Sequence, residues 1–234
     1  MNLPSIQIPT HNVFIPSLNK MIKFRPYTVK EEKILLMATQ SEDPEEILKT
    51  TLQICQGCVL QDVDVSELPI FDLEKLIIAI RSKSVGEEVS CLLRCPHCDS
   101  GTEMKINIEN IKREEYSDVE YKMMLDDNVG VELSFPSVQK TGIKKMVSME
   151  NDSFYVLDSC IDTVFDQDSV YVFRDQSEED RKEFIDNMPI TTLQEITDKF
   201  LNKIPSNVVK LNYVCPSCGK PIERELSSLL DFFI

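Results

Sequence analysis

The chain has 234 residues, 42% hydrophobic and 28% charged, with no Trp and only 7% aromatics, so a core of Ile, Leu, Val and Met in one large or two small domains is expected. A formal charge of −15 and a pI near 4.6 disfavour non-specific nucleic-acid binding and anionic membrane surfaces; the sign fits a well-solvated surface, or an acidic face that docks a basic partner. No stretch reaches the ~18 consecutive apolar residues of a membrane span.

Residues 1–27 read as extended, punctuated by Pro4, Pro9, Pro16 and Pro26, with alternation at Ile6-Gln7-Ile8 and Met21-Ile22-Lys23-Phe24-Arg25. Thr28 with Glu31 forms a capping box for a helix over 30–40, whose crowded Ile34, Leu35, Leu36 and Met37 predict burial. Asp43-Pro44-Glu45-Glu46 opens a second helix, with Ile47, Leu48, Leu52, Cys55 and Val59 on one side. A third starts near Asp72 and turns Leu76, Ile77 and Ile80 inward, and Gly86 closes the region. The period then changes to two: Val89, Cys91 and Leu93 lead into one cysteine turn, and Met104, Ile106 and Ile108 leave it. Residues 110–130 read as a charged loop, 129–135 as a strand, 137–148 and 152–165 as helices, and 170–173 as a short strand. Ser177 opens a helix to about Met188, and another covers 191–202 until Pro205. Residues 208–214 and 222–226 are strands around the second cysteine turn, and 229–234 form an apolar end suited to folding back or to docking.

The cysteines carry the clearest chemistry. Cys95-Pro96-His97-Cys98 and Cys215-Pro216-Ser217-Cys218 are two CPxC knuckles with strand-like flanks. Four soft thiolates in two such pairs suit one tetrahedral Zn2+, with Cys95, Cys98, Cys215 and Cys218 as ligands. The 116-residue gap between Cys98 and Cys215 is long for a ribbon but tolerable, because loop-closure entropy grows slowly with length. A closed four-thiolate site implies stability rather than catalysis. A redox dithiol would want a cysteine at a helix N-terminus, and these sit between strands. Cys55-Gln56-Gly57-Cys58 is a third CxxC, but Cys55 falls on the inward stripe of a helix and reads as core, as do Cys91 and Cys160. Cys91, close to the knuckle, is a possible substitute ligand. Eight cysteines, with no basic-then-apolar leader at the N-terminus, point to a reducing compartment, where cysteine pairs more often bind metal than form disulfides.

Nothing catalytic stands beside this. There are two histidines and six glycines, with no Ser/His/Asp spacing, no P-loop and no GxGxxG. The acidic runs are explained by helix starts and solvated loops.

Three strings together resemble the T4-type bacteriophage baseplate proteins, the hub subunit or hub assembly family of contractile-tailed phages. They are Lys23-Phe24-Arg25-Pro26-Tyr27-Thr28-Val29-Lys30-Glu31-Glu32-Lys33-Ile34-Leu35-Leu36-Met37-Ala38, Leu68-Pro69-Ile70-Phe71-Asp72, and Arg81-Ser82-Lys83-Ser84-Val85-Gly86-Glu87. The paired CxxC motifs and Leu230-Asp231-Phe232-Phe233 are also similar to its members, whereas 110–204 carries no such string. The resemblance implies a structural or assembly part of the baseplate hub, made in the host cytoplasm and located in the virion tail. It would have other hub and tail proteins as partners, no small-molecule substrate and no enzymatic activity.

The expected fold class is α+β: mainly helical regions joined to a small zinc-ribbon-like β unit made of two CPxC knuckles. The expected layout is an N-terminal extended and helical region (1–86), the ribbon unit (87–109 with 205–234), and a mixed α/β insertion (110–204). The alternative is a zinc-ribbon nucleic-acid binding or regulatory module, against which the negative charge speaks.

Overall fold

The computed structural model describes residues 4, 6–108, 111–113, 118–148 and 153–226; the apolar end at 229–234 lies outside them. Strands β1 (His11–Ile15) and β2 (Lys20–Phe24) precede helices α1 (Val29–Gln40), α2 (Pro44–Cys58) and α3 (Ile70–Val85). Strands β3 (Glu88–Arg94), β4 (Gly101–Asn107), β5 (Lys112–Arg113), β6 (Lys122–Met124) and β7 (Gly130–Leu133) follow. Next come helices α4 (Val138–Thr141), α5 (Ile143–Ser148) and α6 (Ser153–Cys160), strands β8 (Ile161–Phe165) and β9 (Val170–Val172), and helices α7 (Glu178–Asp186) and α8 (Ile190–Lys199). Strands β10 (Asn207–Val214) and β11 (Pro221–Leu226) close the described chain. The fold is α+β. Among the described residues no helix is long and apolar enough to cross a membrane.

The chain divides into two compact units, one made of Met1–Val65, Phe71–Glu114 and Ser206–Ile234, the other of Ser66–Ile70 and Glu115–Pro205.

In the first unit, local capping chemistry sets the helix starts. The Glu31 carboxylate accepts from the Thr28 amide at 2.6 Å and hydroxyl at 2.9 Å. It also takes two bonds from the Arg25 guanidinium, at 2.7 and 2.9 Å, the bidentate geometry that makes such pairs strong. Arg25 in turn donates to the Gly57 carbonyl at 2.9 Å, and its amide to the Cys58 carbonyl at 2.9 Å. The corner between β2 and α1 is thereby fastened to the end of α2. Asp43 accepts from the Glu45 amide at 3.0 Å to start α2, with Pro44 in the first turn. The buried Asp72 near the start of α3 accepts from the Ser17 amide at 2.9 Å, and Ser84 near its end accepts from the Tyr27 amide at 3.0 Å. Asn207, also buried, donates to the Phe71 carbonyl and to Glu74, both at 2.8 Å, and so joins the start of β10 to α3. Hairpin β3–β4 pairs from Glu88↔Asn107 to Arg94↔Gly101, and β10 pairs with both β11 and β5. Val89, Cys91, Leu93, Ile106, Ile108 and Val209 form one core cluster between these hairpins.

The second unit is built on the antiparallel sheet β6-β7-β8-β9. Phe135 stacks on Phe200 at 5.5 Å and meets Tyr121 edge-on at 5.6 Å. Arg181 donates to Asp158 at 2.6 Å, with both side chains at most 13% exposed. Lys140 pairs with Asp162 at 2.7 Å and also donates to Ser134.

The structure departs from the sequence reading at five places. Among the described residues Ile6-Gln7-Ile8 is not a strand: β2 pairs along its length with His11–Ile15 instead, and Pro9 interrupts the extension. Helix α1 is not deeply buried: only Ala38 is, while Leu36 and Met37 stay mostly exposed, since four consecutive apolar residues span a full turn and cannot all face α2. The helix expected over 137–148 breaks at Gly142, whose φ of 78° is left-handed. The helix expected to reach 165 ends at Cys160, because the β-branched Ile161, Thr163 and Val164 pair with β7 and β9. The charged stretch 110–130 contains the short strands β5 and β6 rather than loop alone.

Candidate metal centre

Each cysteine knuckle is a tight turn between paired strands, and the two are built bond for bond alike. In the first, the Cys95 amide donates to the Ser100 carbonyl at 3.0 Å, and the Asp99 amide to the Cys95 carbonyl at 2.9 Å. In the second, the Cys215 amide donates to the Lys220 carbonyl at 2.9 Å, and the Gly219 amide to the Cys215 carbonyl at 2.9 Å. The fifth residue of each turn is left-handed: Asp99 has φ 56° and Gly219 φ 70°. Amides also point at sulfur, as in the bond from the His97 N–H to Cys95 Sγ at 3.4 Å. The knuckles therefore present their thiols from rigid, hydrogen-bonded loops.

The structure brings together all four cysteines read as a site from the sequence. Their sulfurs all lie within 4.8 Å of one another. Cys95 Sγ is 3.8 Å from Cys218 Sγ, and Cys98 Sγ is 3.7 Å from Cys215 Sγ. A zinc–sulfur bond of about 2.3 Å gives a tetrahedron with S···S edges of about 3.8 Å. The donor chemistry and the spacing thus both fit one tetrahedral thiolate-bound ion. Among the described residues this is the one grouping of His, Cys, Asp and Glu with such a geometry.

Burial divides the four. Cys95 and Cys215 are 2% and 1% exposed and pack with Ile222 and Tyr213, while Cys98 and Cys218 are open to solvent. The leading cysteine of each knuckle is anchored in the core, and the trailing one closes the site from outside.

The surroundings favour thiolates at two positions. The Ser100 hydroxyl lies 3.4 Å from Cys215 Sγ. Together with the Cys218 and Ser217 amides, it holds the Cys215 thiol down at about 6 despite desolvation. The same hydroxyl, 3.0 Å from Cys98 Sγ, lowers Cys98 with help from the Ser100 amide. Cys218 behaves oppositely: the Lys220 amide lowers it, but desolvation and the neighbouring thiols outweigh that and push it up to about 11. Ser100 was not among the residues singled out from sequence. Its only signal is a hydroxyl two positions past a knuckle, and Lys220 stands in the matching place of the other knuckle.

The remaining cysteines stay apart. Desolvation pushes the Cys55 thiol up and raises Cys58 to about 11, both inside α2. Cys91 packs in the hairpin core, and burial raises Cys160 to about 12. His97 gives the site its amide, and His11 lies against the Phe24 ring at 5.7 Å. Three of the cations beside the knuckles are engaged: Arg94 pairs with Asp99 at 3.4 Å, Lys105 with Glu88 at 3.3 Å, and Arg224 donates to the Arg94 carbonyl at 3.3 Å.

In comparisons with known proteins, residues 8–234 match the family described as T4 bacteriophage base plate protein. No curated protein and no solved structure matches the chain.

Proposed function

Because the chain belongs to the T4 bacteriophage base plate protein family, we propose that it is a structural or assembly component of a contractile tail's baseplate hub, docking onto other tail proteins and catalysing no reaction. Its cofactor in this reading is one structural Zn2+ held by Cys95, Cys98, Cys215 and Cys218, with the two hairpins around it acting as a zinc-ribbon-like unit. It is assembled in the host cytoplasm and works in the virion tail. It needs no nucleic-acid or small-molecule ligand.

The observation that carries the reading, beside family membership, is the convergence of four sulfurs from knuckles 117 residues apart. A site with four protein thiolates leaves no position for water or substrate, so its contribution is to folding. A part fixed in this way suits rigid docking. Mass spectrometry of purified baseplates and of hub intermediates from infected cells tests the role. The chain is expected to travel with hub proteins in one or the other. A free monomer at every stage of assembly would overturn the reading.

A further inference from the structure

Charge is divided unequally along the chain. The unit made of Ser66–Ile70 and Glu115–Pro205 holds 21 Asp and Glu against 9 Lys and Arg, a net of −12 out of −15. Within that unit two adjoining hollows, of about 300 and 430 Å³, share Val129, Asp180 and Phe184 and make one groove beside α7. Its floor is apolar, from Val164, Phe165, Phe173 and Phe184. Its rim is acidic, from Asp126, Asp166, Asp180 and Glu183. Arg181 also lines it, but its guanidinium is committed to Asp158 at 2.6 Å and to the Gln176 carbonyl at 2.8 Å.

Among the described residues β9 is the last strand of its sheet, and its Tyr171 lines the groove. All three of its residues are apolar and exposed: Val170 69%, Tyr171 46% and Val172 45%. The Val172 carbonyl accepts one bond, from Gln176 Nε2 at 3.2 Å, which an incoming backbone amide would replace; an apolar edge strand of this kind is a template for one more strand.

We propose that β9 and the groove beside it receive an extended basic segment of another tail protein, one that alternates Lys or Arg with aliphatic or aromatic anchors. The edge pairs with the incoming backbone, the floor takes the anchors, and the rim takes the cations. A second copy of this chain would bring −12 against −12 and is disfavoured by like charge. The proposal rests on the docking role proposed above and names the chemistry of one partner.

The test uses the full-length, zinc-loaded protein and three synthetic heptapeptides: lysine alternating with valine and phenylalanine, glutamate in the same frame, and lysine alternating with glycine. Binding is followed by amide chemical shifts. The first peptide is expected to bind, to shift residues 170–172 and α7, and to weaken as salt rises. Tyr171→Lys and Glu183→Lys, both at exposed positions, are each expected to weaken it about ten-fold, the scale of one lost charge-assisted contact. Equal binding of the glutamate peptide, equal binding of the lysine–glycine peptide, or shifts confined to other elements would each overturn the proposal. So would dimerisation of the protein that Tyr171→Lys abolishes, since it would assign the edge to a second copy. If the peptide fails to bind but the chain still travels with hub proteins, the groove assignment falls and the hub role stands.

Discussion

Asp99 and Gly219 hold the same place in the two knuckles, and only one of them is suited to it. A left-handed backbone costs an L-residue roughly 1 kcal/mol more than glycine, and the Arg94–Asp99 pair is too exposed to offset this. Asp99→Gly is therefore expected to stabilise the metal-loaded protein by at most about 0.5 kcal/mol, since the relieved strain is partly offset by glycine's chain entropy, and Gly219→Ala to destabilise it by about 1 kcal/mol or more, both read as shifts of the thermal unfolding midpoint. The cysteines separate more sharply. Cys98→Ser or Cys218→Ser should release the ion and unfold at least the two hairpins. Cys55→Ser should keep full metal content and cost about 1–3 kcal/mol for a hydroxyl in a buried site. Arg25 and Glu31 give a pH signature. The folded-state pKa of Glu31 is lowered from 4.5 to about 2, first by the Arg25 hydrogen bonds. A lowered carboxyl pKa contributes stability above pH 4.5, and that contribution is lost as pH falls toward 2. The stability gap between the wild type and Arg25→Gln should accordingly be constant from pH 7 to 4.5 and shrink below that, as followed by denaturant titration.

Strand register can be tested at Gly130. A Cβ there would lie 2.9 Å from the Met123 carbonyl and collide with the Phe165 ring across the β7–β8 pair. Gly130→Ala should cost about 1–3 kcal/mol through overpacking, measured by chemical denaturation, with the first unit's hairpins unaffected by amide exchange. Elements differed in how far they could be read from sequence. The hairpins were legible because alternation and CPxC turns agree over β3, β4, β10 and β11. The starts of α1, α2 and α7 were legible because the Thr28–Glu31 box, in which the Thr28 amide donates to Glu31, and the side chains of Asp43 and Ser177 cap them. The junction of α6 and β8 was not, since apolar residues run through it without a breaker and only pairing with β7 and β9 decides for strand. The exposure of α1 was hidden for a related reason: four consecutive apolar residues show that a helix is hydrophobic but not which side finds a neighbour. Ser100 was missed because its role depends on the second knuckle lying opposite.

For the molecule as a whole, the zinc reading makes one ion a cross-link between the middle of the chain and its end. Closing so long a loop costs little more than closing a short one, while ion binding supplies folding energy that the unfolded chain cannot use. The division of charge, −3 in the first unit and −12 in the second, was invisible in the total of −15 until the contacts defined the units. The grouping of Cys95, Cys98, Cys215 and Cys218 was legible from spacing alone, because paired soft donors at i, i+3 are the ordinary half-sites of a thiolate-bound metal. Whether those sulfurs hold a metal decides between a clamped chain and an unclamped one. Native mass spectrometry of the purified protein measures this directly. One zinc per chain, absent from Cys218→Ser and retained in Cys55→Ser, is the expected result; a metal-free wild type, or equal zinc in all three proteins, would contradict it.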